Sequence, residues 1–447
     1  MSTVVSVAKS EVPVYRDVDV VVVGGGIAGI SAAVAAARKG KSVVLLEKQA
    51  ALGGLATLGH VCIYLPLDDG SGNRIFGGLS EELLYTTIKY GYNTLAGCWK
   101  KGIDRVEAPE DRYQTHFNIP AAVFAFDELC ENEKVETLFD MVFSEPVMDG
   151  NRVKGVICES KQGRVAIMGK AFIDASGDAD LMARAGAKTV KKDSICSHWT
   201  YELDFEQMKK GMEYGDVLHC LKLRWLGLRP NMDNENSVIP KFCGTSIEGV
   251  NSYLKTSRKL GLDYLKKNQR PDYAMLTLPG MPQFRTSQHI VGVESISYRD
   301  DADKRNENSV GIICWGLADP SPVFEYPYGG LIDSRIENVF AAGRIVACDE
   351  DKGWEMMRLI PACAFTGEVS GTAAAQLIDE GVAAQELDVS RLQKTLESGG
   401  ITIHMNERMK GNVNKLKYDK PKSISCPLIF ADALAYDDAH SKLAVSE

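Results

Sequence analysis

The sequence predicts an α/β fold organised around a parallel sheet, and three observations carry that expectation. Asp17 opens a run dominated by valine that ends at Val23, and the turn Gly24-Gly25-Gly26-Ile27-Ala28-Gly29 follows. An alanine-rich stretch then reaches Arg38, and a second apolar run ends at Glu47. Continuous β-branched runs read as strands buried on both faces, the usual condition of a parallel sheet. Ala28, Ala32, Ala33, Ala35 and Ala36 suit a helix lying close on that sheet. The result is a βαβ unit with its glycines where strand becomes helix.

Each position in the turn has a physical reason. Gly24 permits the tight turn, Gly26 lets the backbone approach a pyrophosphate, and Gly29 lets helix and strand pack closely. The helix-start amides of Ile27 and Ala28 favour phosphate charge. Glu47 lies 23 residues after Gly24, suited to accept hydrogen bonds from ribose hydroxyls. A carboxylate there repels a 2′-phosphate, which argues against an NADP-type cofactor.

The 447 residues are 45% hydrophobic and 25% charged, a globular composition that excludes disordered, collagen-like and coiled-coil chains. With 51 basic against 60 acidic residues, the net charge is -9. No basic footprint points to a nucleic-acid partner. The start lacks the pattern of a secretory signal, and no apolar run approaches the roughly 20 residues of a membrane span. A soluble cytoplasmic chain without a membrane partner is therefore expected. The 11 cysteines are scattered without a CxxC pair, which suits reduced core residues rather than a cluster or disulfide framework.

The glycine turn alone does not separate FAD from NAD. Glu47-Lys48 followed by Gly53-Gly54-Leu55-Ala56-Thr57 resembles the FAD-binding pattern of the glutathione-reductase-like superfamily. Phe172-Ile173-Asp174-Ala175-Ser176-Gly177-Asp178 resembles its later Ala-Thr-Gly-Asp segment, with serine replacing threonine. Phe340-Ala341-Ala342-Gly343-Arg344 resembles the strand end that meets the pyrophosphate and ribityl chain. The stretch from Met357 through Ala364 to Gly367 resembles the helix opening whose amides face the flavin. These blocks, at 17–57, 77–84, 118–187, 282–292 and 326–381, cover around half the chain. They make it similar to FAD-dependent oxidoreductases related to fumarate reductase flavoproteins and heterodisulfide reductase flavoprotein subunits.

The resemblance implies a Rossmann-like, three-layer FAD-binding domain built from residues 1–95, 115–190 and 325–385. Residues 191–324 are then an inserted α+β substrate or cap domain, and 386–447 a C-terminal helix and polar tail containing Pro421 and Pro427. Strands at 152–159 and 164–173 around the Gly163 turn fit the family's accessory sheet. No second GxGxxG appears, and Cys62 has no nearby partner thiol. An internal NAD(P) domain and a reductase-type disulfide are therefore not expected.

The resemblance brings His60 toward the flavin, where imidazole exchanges a proton or stabilises charge at the N1–C2=O edge; a structural histidine is the alternative. The covalent histidyl motif of some relatives is not reproduced, so FAD is expected to be noncovalent. Arg285 offers a two-pronged clamp for a carboxylate. Gln288-His289 stands where an additional arginine is expected, which makes His289 a further catalytic candidate. Arg358 reads as a substrate or partner contact or a salt bridge, Cys363 as a buried filler or reactive thiol, and Trp99, Trp199, Trp225, Trp315 and Trp354 as core by default, with the lining of an apolar pocket as the alternative. The run Asp349-Glu350-Asp351 reads as a solvated loop rather than a metal site.

The leading expectation is hydride transfer between a small organic substrate and flavin N5. An electron-transfer subunit working with a redox partner protein, and a non-redox FAD-binding scaffold, are the alternatives. A closed homodimer is the expected assembly.

Overall fold

The computed structural model describes residues 11–228, 239–316, 320–349 and 352–412. Glu350, Asp351 and the tail with Pro421 and Pro427 lie outside the described residues.

The expected βαβ unit forms from β1 (Val14–Val23), α1 (Ile27–Arg38) and β2 (Val43–Glu47). The short strands β3 (Ile63–Tyr64) and β4 (Thr115–His116) pair across helix α2 (Gly78–Thr87). Helix α3 (Ile119–Asn132) enters β5 (Glu136–Phe139), capped by the Asn118 side chain on the Ala121 amide. Then come β6 (Val142–Asp149), β7 (Arg152–Ser160) and β8 (Gly163–Asp174). Helix α4 (Asp180–Arg184) and β9 (Thr189–Lys191) close this part of the chain.

Strands β1, β2 and β5 to β8, with β16 (Val339–Ala341) paired to β8, make one seven-stranded sheet in the order β5-β2-β1-β8-β7-β6. Its parallel part is β5, β2, β1, β8 and β16; β7 and β6 run antiparallel. The length of β8 permits this mixture, because one edge serves two neighbours. Gly163 to Met168 pair with β7, and Phe172 to Asp174 with β16. The strands expected as an accessory sheet are thus continuous with the main one.

The inserted layer holds β10 (Ser197–Asp204), α5 (Phe205–Tyr214), β11 (Lys222–Gly227), α6 (Ile247–Asn268) and β12 (Tyr273–Met275), with sheet order β11-β10-β12. Strand β13 (Gln288–Ile290) returns to pair with β9. The hairpin of β14 (Ser309–Cys314) and β15 (Val323–Pro327) is buried in the main core. The boundary expected at 324 therefore falls inside a strand.

Helices α7 (Lys352–Met357), α8 (Ile360–Glu380) and α9 (Val389–Ser398) complete the described chain. Among the described residues, no helix is long and apolar enough to cross a membrane. Helix α8 packs on α1 through a seam of small residues. A Cβ on Gly367 would lie 2.2 Å from the Ala28 carbonyl oxygen, and one on Gly371 at 2.2 Å from that of Ala32. Both pairs repeat at four-residue spacing, so the contact runs along one face of each helix. Ser31 Oγ crosses the seam to the Ala364 carbonyl at 2.6 Å.

Gly367→Ala is expected to cost about 1–3 kcal/mol of stability, as overpacking does. Gly261→Ala, inside α6 with open space for the new methyl, is expected to gain about 0.5–1 kcal/mol. Denaturant midpoints moving in opposite directions check the pair; a harmless Gly367→Ala would show that the seam is not tight.

Candidate active site

The parallel strands stop together. Val23 of β1 is in register with Asp174 of β8, which is in register with Ala341 of β16. Beyond these ends the backbone turns through Gly24 (φ +108°), Gly177 (φ +80°) and Gly343 (φ +81°), a left-handed region that favours glycine. A cleft of about 1180 Å³ opens over this edge. That exceeds the roughly 300–1,000 Å³ of ordinary small-ligand pockets, so it has room for a dinucleotide and a substrate.

Most of the expected cofactor residues come together here. Gly24, Gly26, Ile27, Ala28, Glu47, Lys48, Gly53, Gly54, Leu55, Ala56, Ala175, Gly177, Gly343 and Arg344 all border the cleft. Gly29, Ala364 and Gly367 do not. A Cβ on Gly29 would meet the Gly24 carbonyl, while Ala364 and Gly367 serve the α1–α8 seam. Their smallness is used for packing. The small-residue pattern alone does not distinguish a helix that faces a ligand from one that faces another helix.

Glu47 holds the turn together as well as facing the cleft. One carboxylate oxygen accepts from the Gly25 amide at 2.8 Å and the other from the Gln49 amide at 2.7 Å. Gly53 donates to the Gly25 carbonyl at 2.8 Å, fixing the second glycine pair beside the first. Arg344 is pinned across the rim by Asp178, with Nη2 to Oδ1 at 2.9 Å.

The turn fits a pyrophosphate on two counts. No side chain caps α1 at Gly26, which leaves its first amides for an anion. A Cβ on Gly26 would meet no atom within 4 Å, so the cradle is open where a side chain would fill it.

The three catalytic candidates separate. Arg285 borders the cleft, its guanidinium centre 5.0 Å from the Trp225 ring centroid and 6.0 Å from that of Trp199. Its Nη2 donates to Ser197 Oγ at 3.2 Å, and it makes no ion pair among the described residues. Burial, and then the charge of Arg358, push its pKa below the ordinary arginine value. Arg358 also borders the cleft; its closest carboxylate is Glu355, at 3.9 Å.

His60 lies behind the cleft, 7% exposed. Its Nδ1 is 3.3 Å from the Trp199 carbonyl oxygen, an atom that only accepts, so Nδ1 carries the proton in that contact. Burial holds its pKa below the usual histidine value. His289, 2% exposed, packs edge-on against Trp354 with centroids 4.5 Å apart, and its Nδ1 meets the Ile290 carbonyl at 2.7 Å. Neither histidine borders the cleft. The strand at 288–290 directs His289 into the core, four residues from an arginine that faces the cleft. Cys363 does border the cleft, but burial pushes its thiol up to about 12. That supports the filler reading.

The sequence did not single out the cap wall, whose tryptophans read as core by default with a pocket lining as the alternative. Trp199 and Trp225 are cross-strand partners with centroids 5.0 Å apart, and both border the cleft with Gln283 and Phe284. Their pairing spans 26 positions and has no local signature. At the far end, Met141 to Phe143 and Arg184 also border the cleft. A short apolar strand start in the segment joining known motifs was the available signal.

A glycine-lined crevice at the carboxyl ends of parallel strands, with an acid closing the second strand, defines a dinucleotide-binding α/β protein. Residues 19–198 and 286–396 match the model of the FAD dependent oxidoreductase family, and the chain belongs to that family. It is an FAD-dependent oxidoreductase, and FAD is its cofactor. A curated protein from Vibrio harveyi, an NADH:acrylate oxidoreductase, is 59% identical over 112 residues; the match covers 25% of this chain and 11% of that protein. Among solved structures, p-nitrophenol 4-monooxygenase PnpA from Pseudomonas putida DLL-E4 is similar over 96% of this chain and 98% of its own, at 13% identity and a TM-score of 0.47. L-proline dehydrogenase from P. horikoshii is similar over 88% and 100%, at 16% identity and a TM-score of 0.38.

Gly26→Val is expected to leave the melting temperature of the FAD-free protein unchanged and to weaken FAD binding at least tenfold, about 1.4 kcal/mol. Gly24→Ala, whose Cβ would lie 2.4 Å from the Ala175 carbonyl, is expected to lower that melting temperature. Flavin-to-protein absorbance ratios and thermal denaturation separate the two effects. Full FAD occupancy in Gly26→Val would remove the turn from the cofactor site.

Proposed function

We propose that this enzyme exchanges a hydride between flavin N5 and a small organic substrate bearing a carboxylate, which Arg285 and Arg358 bind at the cap end of the cleft. One observation carries the reading. Two guanidinium groups, close enough for one to depress the pKa of the other, face the same cleft; Arg285 makes no ion pair among the described residues, and Arg358 reaches only Glu355, at 3.9 Å. The Nε atoms of both lack an acceptor among the described residues. Like charges brought together in a partly buried site are stabilised by an anion between them. The name of the Vibrio harveyi relative supports the same class, since acrylate is a small unsaturated carboxylate.

Bound FAD supplies the two-electron exchange, and the chain supplies binding and orientation. Gly26, Glu47 and Gly343 hold the dinucleotide in this reading. Arg285 clamps the substrate carboxylate with its planar fork, and Trp225 and Trp199 keep that fork in place through their ring faces. The same rings exclude water, which strengthens the ion pairing. His60 and His289 are positioning residues here, the first by holding the strand of Trp199 and the second by packing under Trp354.

The holoenzyme, titrated with short carboxylates including acrylate and with their neutral amides, tests this through the visible flavin spectrum. Carboxylates are expected to perturb the spectrum and amides to leave it unchanged. Arg285→Leu is expected to weaken carboxylate binding at least tenfold, about 1.4 kcal/mol, with Arg285→Lys in between because a point charge lacks the fork. Amides that bind as tightly as the acids would sink the reading.

A further inference from the structure

A second cavity, of about 440 Å³, opens between the C-terminal end of α1, the start of α2 and the C-terminal end of α9. Its volume falls within the roughly 300–1,000 Å³ of small-ligand pockets. Glu368 of α8 borders it and is only 9% exposed. One carboxylate oxygen accepts the Leu79 amide at 2.6 Å. No arginine, lysine or histidine pairs with Glu368 among the described residues. A Cβ on Gly399 would lie 3.6 Å from the other oxygen, so bare backbone borders it on that side.

The remaining charges around the cavity fall into two groups. Arg38 is held by Glu82 and Glu133, and Arg74 by Glu81 and Asp104. Lys39 and Lys101 are exposed, border the same cavity and make no ion pair among the described residues. One cavity thus presents a buried carboxylate without a counter-ion and two lysines without one. The carboxyl end of α9, at Thr395 and Leu396, adds partial negative charge near Glu368. Burial pushes Glu368 up to about 7; the Leu79 amide opposes the rise, Glu82 of α2 adds to it, and Arg38 of α1 and the following Lys39 also oppose it. An ammonium ligand would supply the missing counter-ion.

We propose that this cavity binds a small zwitterion of the size of a free α-amino acid, its ammonium on Glu368 and its carboxylate on Lys39 and Lys101. A simple cation would leave the lysines unmatched, and a simple anion would sit beside an unmatched Glu368. The site is carried on the helix that also borders the cofactor cleft. Cys363 faces the cleft, and Glu368 follows five residues later, roughly 7.5 Å along the helix axis.

Calorimetric titration of the full FAD-loaded Arg285→Leu chain, in which the carboxylate site of the cofactor cleft is weakened, with a panel of L-α-amino acids is the test. For any that bind, the matching amine without the carboxylate and acid without the ammonium follow. At least one amino acid is expected to bind with a millimolar or lower Kd. Both truncated analogues, and Glu368→Gln, are expected to weaken binding tenfold or more. Glutamine still accepts the Leu79 amide, and a melting curve checks that the variant folds. The exposed changes Lys39→Ser and Lys101→Ser are expected to weaken binding even if Glu368→Gln does not fold. No heat from any amino acid at about 10 mM, analogues that bind as well as the zwitterion, or affinity indifferent to both lysines would each overturn the proposal.

Discussion

The structure depends on a ladder of hydrogen bonds that ends at one level across four strands. Gly24 donates to the Leu46 carbonyl at 2.8 Å, Ala175 to that of Val23 at 2.9 Å, and Ala342 to that of Asp174 at 2.9 Å. These are the last rungs joining β2, β1, β8 and β16. Past them the strands separate, and their backbone groups are free to turn toward a ligand. Parallel register makes this possible, since each strand must enter the edge from the same side. A one-residue slip in β8 would move Asp174 away from the amides of Ser176 and Met182 that it now holds at 3.0 and 2.8 Å.

The second constraint is the close seating of α1. Its N-terminus must meet the glycine-lined end of the cleft while its flank meets α8, and neither contact tolerates much side-chain bulk. Gly29 and Gly367 act at the two contacts, one against the Gly24 carbonyl and the other against that of Ala28. The Ala28 backbone therefore packs against α8 while its side chain comes within reach of Gly343, where an added Cβ would lie 3.0 Å away. Gly343 in turn donates to Thr366 Oγ1 at 2.9 Å. Cofactor turn, late strand and α8 are tied into one unit before any ligand contributes.

Features of this unit were legible because they are local. The valine run, the glycine spacing and the acid at Glu47 occupy a short stretch of chain, and backbone chemistry dictates them one position at a time. The strand ends at Ala175 and Gly343 were legible through their resemblance to known motifs. Illegible were features set by partners far apart in sequence. Trp199 meets Trp225 only because β10 and β11 pair, and β8 binds two neighbours only because it outlasts β7. His60 and His289 show the same limit from the other side. Their identity suggested proton chemistry; His60 has a left-handed backbone (φ +58°), His289 lies in a short strand, and neither is among the residues that border the cleft.

In the proposed reading, cofactor and substrate are encoded by different physical means. The dinucleotide end is built chiefly of backbone: glycine turns, unfilled amides and one acid that also binds the turn. Such a site depends on the absence of side chains, so it is written as a strict pattern of small residues. The cap end is built of side chains on paired strands and an irregular loop, where Arg285 rests on two tryptophans that arrive from separate strands. Changing one of those side chains leaves the ladder at the strand ends intact. On that reading a chain of this construction can exchange one substrate for another while holding the same cofactor, because backbone turns meet one requirement and paired-strand side chains the other.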